Sequence, residues 1–266
     1  MASSMRTFSG ERQVLGIYRR MLPSLLSRDL KVKYQRSLLG FVWTLINPVL
    51  VSLVLVTVFS LVVRIPIERY WAFLLSGYFT WNFIQQCVTA AGGVFQAHAQ
   101  LRRNVAFPTE ILVLSAVLSR LVEFLAELLI IVLLICVFHH QGIPSALLLL
   151  PIAVAMQILI ALGLMFPISV MSALFQDLQH ALPMVLLSLF YASPILYPVV
   201  LVPARALPWY YLNPVVLPLE IYHAILYEGV WPSLSFLAPS LLGACAFCFA
   251  GYLIFHRFKG ECIESA

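Results

Sequence analysis

Charge is what this 266-residue chain most lacks: Asp, Glu, Lys and Arg make up 10% of it, against 62% hydrophobic residues. Soluble domains carry about 25% charged residues, so a water-soluble fold of this composition would leave too much apolar surface uncovered. Nucleotide-hydrolysing machinery is missing too. There is no G-x-x-x-x-G-K-[ST] run, no H-E-x-x-H and no Cys or His cluster at metal spacing. His139 and His140 form a doublet in a short loop, but adjacent residues point in different directions and no third ligand is close in sequence. Cys245 and Cys248 have C-x-x-C spacing, yet Ala244, Ala246, Phe247 and Phe249 around them form an apolar run without a second ligand pair, so they read as small packing residues. The chain is therefore expected to bind no metal and no cofactor of its own, and to be no enzyme. Neither a tandem repeat nor an inverted duplication is evident.

What is present is six long apolar stretches, roughly residues 41–63, 71–93, 111–138, 146–172, 180–200 and 236–256. Eighteen or more apolar residues are enough to cross the roughly 30 Å hydrocarbon core as a helix. The expected fold class is an all-α integral membrane protein with six transmembrane helices in one domain over residues 1–266. Basic residues give the orientation. Eight of the sixteen Lys and Arg lie in the first 40 residues, and Arg102, Arg103, Arg257 and Lys259 fall on the same side, while Arg64, Arg69 and Arg205 fall on the other. The positive-inside rule then makes residues 1–40 and the tail 257–266 cytoplasmic, and the net charge of +5 reports topology rather than nucleic-acid binding. No small-residue cleavage site follows a short apolar core, so the first span is expected to stay in place. In the longest outer connection, residues 201–235, Pro203, Pro208, Pro214, Pro218 and Pro232 alternate with Trp209, Tyr210, Tyr211, Tyr222, Tyr227 and Trp231. That mixture suits the interfacial aromatic belt and short outer half-helices.

Ahead of the first span, the sequence from Leu22 to Arg36 can start a helix at Pro23. At 100° per residue Leu22, Leu25, Leu26 and Leu30 share one face, and Ser24, Arg28, Lys31 and Gln35 occupy the other. This is a basic amphipathic helix able to lie on the cytoplasmic leaflet. Asp29 and Lys33 intrude on its apolar face in the order that favours an i, i+4 pair, which suggests that this face also docks against protein.

Within the third stretch Arg120, Glu123 and Glu127 recur on one helix face, and charges at membrane depth are costly unless paired. Two readings stand: internal pairing with Arg120 neutralising Glu123, or a proton relay. Along the first span Arg36, Gly40, Trp43 and Asn47 recur at spacings of four, three and four, a small and polar stripe that lipid would not favour.

From Arg28-Asp29-Leu30-Lys31-Val32-Lys33-Tyr34-Gln35-Arg36 through Gly40-Phe41-Val42-Trp43 to Asn47-Pro48, the chain resembles the start of type 2 ABC export permeases of the polysaccharide and O-antigen branch, which includes capsule and teichoic-acid exporters. Phe107-Pro108-Thr109-Glu110-Ile111-Leu112, Asp177, Ser193-Pro194-Ile195, and Asn213-Pro214 with Glu220 and Tyr222 follow in matching order. Gln176 and His223 stand where relatives commonly have Arg, which puts any salt bridge carried over from the family at those positions in doubt.

The resemblance implies a permease that pairs with a second copy of itself around a conduit, in the bacterial inner membrane. Two copies of a cytoplasmic ATPase, which hold the ATP and Mg, would drive a lipid-linked glycan across. Arg28, Asp29, Lys31, Arg102, Arg103, Phe107, Pro108 and Asp177 are then the expected ATPase-coupling residues, with Phe107 as an apolar peg between charges. A glycan path needs aromatic rings and scattered polar groups, for which Tyr34, Arg36, Gly40, Phe41, Trp43, Asn47, Phe190, Tyr191 and Tyr197 are the candidates. A proton-coupled secondary transporter using Glu123 and Glu127, a membrane-embedded transferase, and a drug or lipid exporter of the wider family are the alternatives.

Overall fold

A computed structural model describes residues 2–34, 40–98, 108–138, 144–175 and 177–264, with side chains left out of account at 2–15, 17, 18 and 262–264. All regular structure among the described residues is helical. In order it runs through α1 (Ala2–Tyr34), α2 (Val42–Thr57, continued by a wider turn Val58–Val62), α3 (Tyr70–Ala97), α4 (Glu110–Phe138), α5 (Leu150–Leu174, preceded by a tight turn Ser145–Leu149) and α6 (Asp177–Tyr191). The outer segment holds the short helices α7 (Leu207–Tyr210) and α8 (Val216–Tyr222), the latter continued by His223–Glu228, and α9 (Leu234–Glu264) closes the chain.

Among the described residues, four segments are long and apolar enough to cross a membrane: Val42–Val62, Glu110–Phe138, Ser145–Leu174 and Leu234–Glu261. The chain is thus a multi-pass membrane protein, and these segments match four of the six expected spans. The other two depart from the expectation for different reasons. Helix α3 has 28 residues, ample length at 1.5 Å each, but Ser76, Thr80, Asn82, Gln85, Gln86 and Thr89 lower its apolarity. It tolerates them because α2, α4, α5, α6 and α8 pack around it, so much of its surface never meets lipid. The fifth expected span, 180–200, is only partly helical: α6 ends at Tyr191 after fifteen residues. Ile195 then donates back to the Ser193 carbonyl at 2.8 Å, in a turn carrying Pro194 and Pro198, which have no N–H to continue a helix.

Two residue pairs far apart in sequence lock this bundle. Gln157 on α5 donates to the Thr80 carbonyl of α3 at 3.0 Å, and Asn213 donates through Nδ2 to the Ser193 hydroxyl at 2.9 Å. Asn213 Oδ1 also accepts from the Val215 N–H at 3.0 Å, an Asx turn that leads into α8. Residues 193–195 and 213–214 therefore hold each other.

Helix α1 does not start at Pro23. It runs from Ala2 and passes through the proline, which removes only its own N–H bond and is tolerated where a neighbour supports the helix. The support is α4, on which Leu25 is buried and Met21 and Leu22 pack against the core.

Helices α5 and α9 approach most closely at two glycines: a Cβ added to Gly251 would lie 2.3 Å from the Gly163 carbonyl oxygen, and one on Gly163 would lie 2.5 Å from the Phe247 ring. Small residues let helix backbones come together in a bilayer, where no hydrophobic drive holds helices against lipid. Gly251→Ala should therefore force the pair apart and cost about 1–3 kcal/mol. A lower midpoint of thermal unfolding in detergent checks this, with Gly243→Ala, where an added Cβ meets nothing within 4 Å, as the neutral control.

Candidate functional site

The buried Glu123 carboxylate, 1% exposed at the middle of α4, is the hub of the site. One of its oxygens accepts from Lys33 Nζ at 2.6 Å, Tyr34 Oη at 2.6 Å and Arg120 at 3.2 Å. Tyr34 Oη also lies 2.7 Å from the Thr44 hydroxyl on α2. One carboxylate thus joins α1, α2 and α4. The expected pairing of Arg120 with Glu123 is present, and Lys33 supplies a second cation from the amphipathic helix.

Glu127, also 1% exposed, lies one turn further along α4 and takes a different partner: Asn82 Nδ2 on α3 donates to its Oε1 at 2.9 Å. Its Oε2 has no hydrogen-bond partner among the described residues.

Asp29 and Lys33 do not pair with each other as their spacing suggested, because each faces the bundle and finds its own partner there. Asp29 lies 3.3 Å from His98 Nε2 at the end of α3, accepts from the Ser115 hydroxyl of α4 at 3.3 Å and meets Arg28 at 3.3 Å. Burial raises the pKa of the Asp29 carboxyl, but His98 and Arg28 outweigh it and hold the group below the usual carboxylate range. At the same end of the bundle Lys259 of α9 donates to Glu110, at the start of α4, at 2.6 Å. The two acids of the recognised motifs Arg28-Asp29 and Pro108-Thr109-Glu110 therefore act as staples between helices.

Beside the Glu123 hub opens a cleft of ≈ 670 Å³ between α2 and α3. Tyr34, Gly40, Trp43 and Asn47 line one side of it, so three members of the predicted stripe do share one wall; the fourth, Arg36, lies outside the described residues. Trp43 is 51% exposed. Asn82, Gln85, Gln86 and Thr89 of α3 form the facing wall. Those four were missed at the sequence level, although their spacing of three, four and seven in an otherwise apolar stretch is the signal of a polar helix face. Lys33 and Arg120 close the end where a second crevice of ≈ 530 Å³ continues toward His98 and Asp29.

The remaining aromatic candidates do not line this cleft. Phe41 stands edge-on to Tyr34 at 5.6 Å between ring centroids. Phe190 packs on Trp81 at 5.9 Å and on Tyr191 at 5.2 Å, and Tyr197 donates to the Tyr191 carbonyl at 2.8 Å. The two groups are linked through Trp81, whose indole N–H donates to Gln85 Oε1 at 2.8 Å. Of the expected coupling residues, Lys31 and Asp177 are exposed, Arg28 and Pro108 are partly exposed, and Arg102, Arg103 and Phe107 lie outside the described residues, as do Gln176, His139 and His140. His223 is buried, stacked on Phe73 at 4.1 Å and pressed so close to Gly77 that a Cβ there would lie 2.9 Å from its Nε2. An aromatic ring fills this place with stacking where a charged side chain would need a counter-ion.

The sequence matches of the chain bear on what such a cleft belongs to. Residues 22–227 match the family model described as ABC-2 type transporter. The chain belongs to that family. Among its relatives, the O-antigen export system permease protein RfbA of Myxococcus xanthus is 32% identical over 251 residues, covering 93% of this chain and 96% of that protein. A Klebsiella pneumoniae O-antigen export system permease protein RfbA is 29% identical over 191 residues, 72% of this chain and 74% of the relative. The polysialic acid transport protein KpsM of Escherichia coli is 22% identical over 211 residues, 77% and 81% of the two chains. The ABC-2 match ends inside the segment that follows α8, so it includes the Glu123 hub, both cleft walls and the outer helices.

In this ABC-2 chain Glu123→Gln removes the one negative charge between two cations. Breaking a buried pair of this kind typically costs about 3–5 kcal/mol. Folded yield and thermal midpoint in detergent should both fall, and Lys33→Met, at a side chain 36% exposed, should cost clearly less. Equal stability of Glu123→Gln and the unaltered chain would show that the hub carries no structural load.

Proposed function

We propose that this chain is the membrane permease subunit of an ABC exporter that carries a lipid-linked polysaccharide, O-antigen or a similar glycan, across the bacterial inner membrane. The observation that carries the reading is the cleft wall of Gly40, Trp43 and Asn47 facing amide and hydroxyl side chains. Sugars stack their C–H faces on rings and exchange hydrogen bonds through hydroxyls, so such a surface suits a polymer that must slide. The relatives' names, O-antigen export and polysialic acid transport, point the same way. Two copies of this single permease domain would form the conduit, with α3 and α6 completing six crossings and both termini cytoplasmic.

The chain itself is a transport component without catalytic residues. ATP and Mg belong to two copies of a partner ATPase, which pushes on the cytoplasmic end through Arg28, Lys31, Arg102, Arg103, Phe107, Pro108 and Asp177. Asp29 serves this coupling by fixing α1 to His98 and Ser115. A push on α1 then reaches α3 and α4 as a rigid-body displacement. The engagement of Glu123 by three donors supports a structural role for the charge cluster over a proton relay.

Trp43→Ala should slow the appearance of long glycan chains at the cell surface, while Trp43→Phe, which keeps a π-face, should be mild. Cysteines at Trp43 and Asn47 should react with a water-soluble thiol reagent, or crosslink to a second copy, faster than cysteines half a turn away. Equal protection of both faces with no crosslink would remove α2 from the path. Phe107→Ala should leave ATP hydrolysis uncoupled from export at normal protein levels, and normal export by that variant would overturn its place in the coupling surface.

A further inference from the structure

The polar wall of α3 has its hydrogen-bonding polarity fixed from behind. Side-chain amides are ordinarily free to present either N–H or C=O, and only their partners decide which. For Gln85 the partner is the Trp81 indole N–H, which can only donate. It must take the amide oxygen, at 2.8 Å, and leaves Gln85 Nε2 as the free end. For Asn82 the partner is the Glu127 carboxylate, whose membrane-buried oxygen accepts from Nδ2 at 2.9 Å and leaves Asn82 Oδ1 free. Thr89 spends its hydroxyl proton on the Gln85 backbone carbonyl at 2.8 Å, so its oxygen remains as an acceptor. All three residues line the cleft, opposite Trp43.

Along one face of α3, at positions i, i+3 and i+7, the free groups therefore read acceptor, donor, acceptor. No protein group satisfies the free ends of Gln85 and Asn82 among the described residues. A hydroxyl is the ligand group that fits both kinds of end, since it donates one bond and accepts others. Two hydroxyls of a neutral sugar can accept from Gln85 and donate to Asn82 or Thr89 while the ring lies against Trp43.

We propose that Asn82, Gln85 and Thr89 form a sugar-hydroxyl recognition row within the cleft, and that Trp81 and Glu127 are positioning residues that set its polarity. This rests on the reading of the cleft as a glycan path. It assigns the buried Glu127 a purpose the Glu123 hub leaves unexplained. It also accounts for the indole of a tryptophan in the core being turned toward a cleft residue.

The test uses the full-length chain in lipid nanodiscs with Cys262→Ser and Ala90→Cys, a small change at a residue lining the same cleft. A membrane-impermeant maleimide should label the new cysteine, and maltoheptaose should slow labelling about threefold at ~10 mM if it binds with a Kd of a few millimolar. Polyethylene glycol of matched length, which has ether acceptors and almost no hydroxyls, should not. Gln85→Glu keeps the oxygen that the Trp81 indole needs but removes the N–H donors, so it should abolish protection while leaving the labelling rate without sugar unchanged. Trp81→Phe releases the amide and should weaken protection partly.

Failure of the cysteine to label at all would mean that no water reaches the cleft and would take down the path reading together with the row. Labelling without protection, equal protection by polyethylene glycol, or protection surviving in Gln85→Glu would overturn the row alone. An outcome in which Gln85→Glu changes the sugar-free labelling rate is resolved with Gln85→Leu: retained protection there overturns the proposal, and its loss at an unaltered sugar-free rate supports it.

Discussion

A single carboxylate inside the bilayer, Glu123, is the constraint on which the cleft depends. An ion at that depth is costly, and the bundle offsets the cost by bringing Lys33, Tyr34 and Arg120 to it from two helices. That requirement fixes where the end of α1 can sit. It also fixes α2, because the Tyr34 hydroxyl that binds Glu123 lies 2.7 Å from Thr44. The cleft wall of Gly40, Trp43 and Asn47 follows within two turns of Thr44 and inherits its placement. The same acid that stabilises the bundle thereby aims the surface proposed to touch the glycan.

Much of this was legible in the sequence, and the gaps have physical causes. Of the six spans expected from apolar stretches, four are long and apolar enough among the described residues, because their outer faces meet lipid. Helix α3 is enclosed by its neighbours, so its polar row weakened the hydropathy signal while holding half of the site. The stripe on α2 was readable from period alone, since one face of an exposed helix needs a reason to be small and polar. The facing wall carries a comparable period, but that it meets the stripe across a cleft depends on packing between helices that hydropathy does not encode. Asp29 and Lys33 show the same limit. Their spacing permits a local pair, but stronger partners on α3 and α4 compete for both charges.

The recognised motifs turn out to lie at joints. Ser193 meets Asn213, Glu110 meets Lys259, and Asp29 meets His98. Each contact ties segments far apart in sequence, at a place where a chain leaves or begins a helix and backbone groups need side-chain partners. A motif read as a mark of transport chemistry is here first a device that holds helix ends together. Under the proposed transport reading, a bundle that moves as blocks needs its ends fixed within each block.

Where such blocks can part follows from which helices are bound to which. Helices α1, α3 and α4 are joined by the charged contacts of Asp29, Lys33 and Glu127 and by buried apolar packing. Helix α2 has little of either: only Pro48 and Ser52 are buried along it, and most of its Val and Leu side chains are exposed. At its start Gly40 adopts φ +50°, a left-handed conformation that a side chain would strain. A displacement of the α1, α3 and α4 block therefore reaches α2 through few contacts, chiefly Tyr34 to Thr44 and its packing on α3. Since α2 is one wall of the cleft and α3 the other, a displacement of α2 against that block changes the width of the cleft.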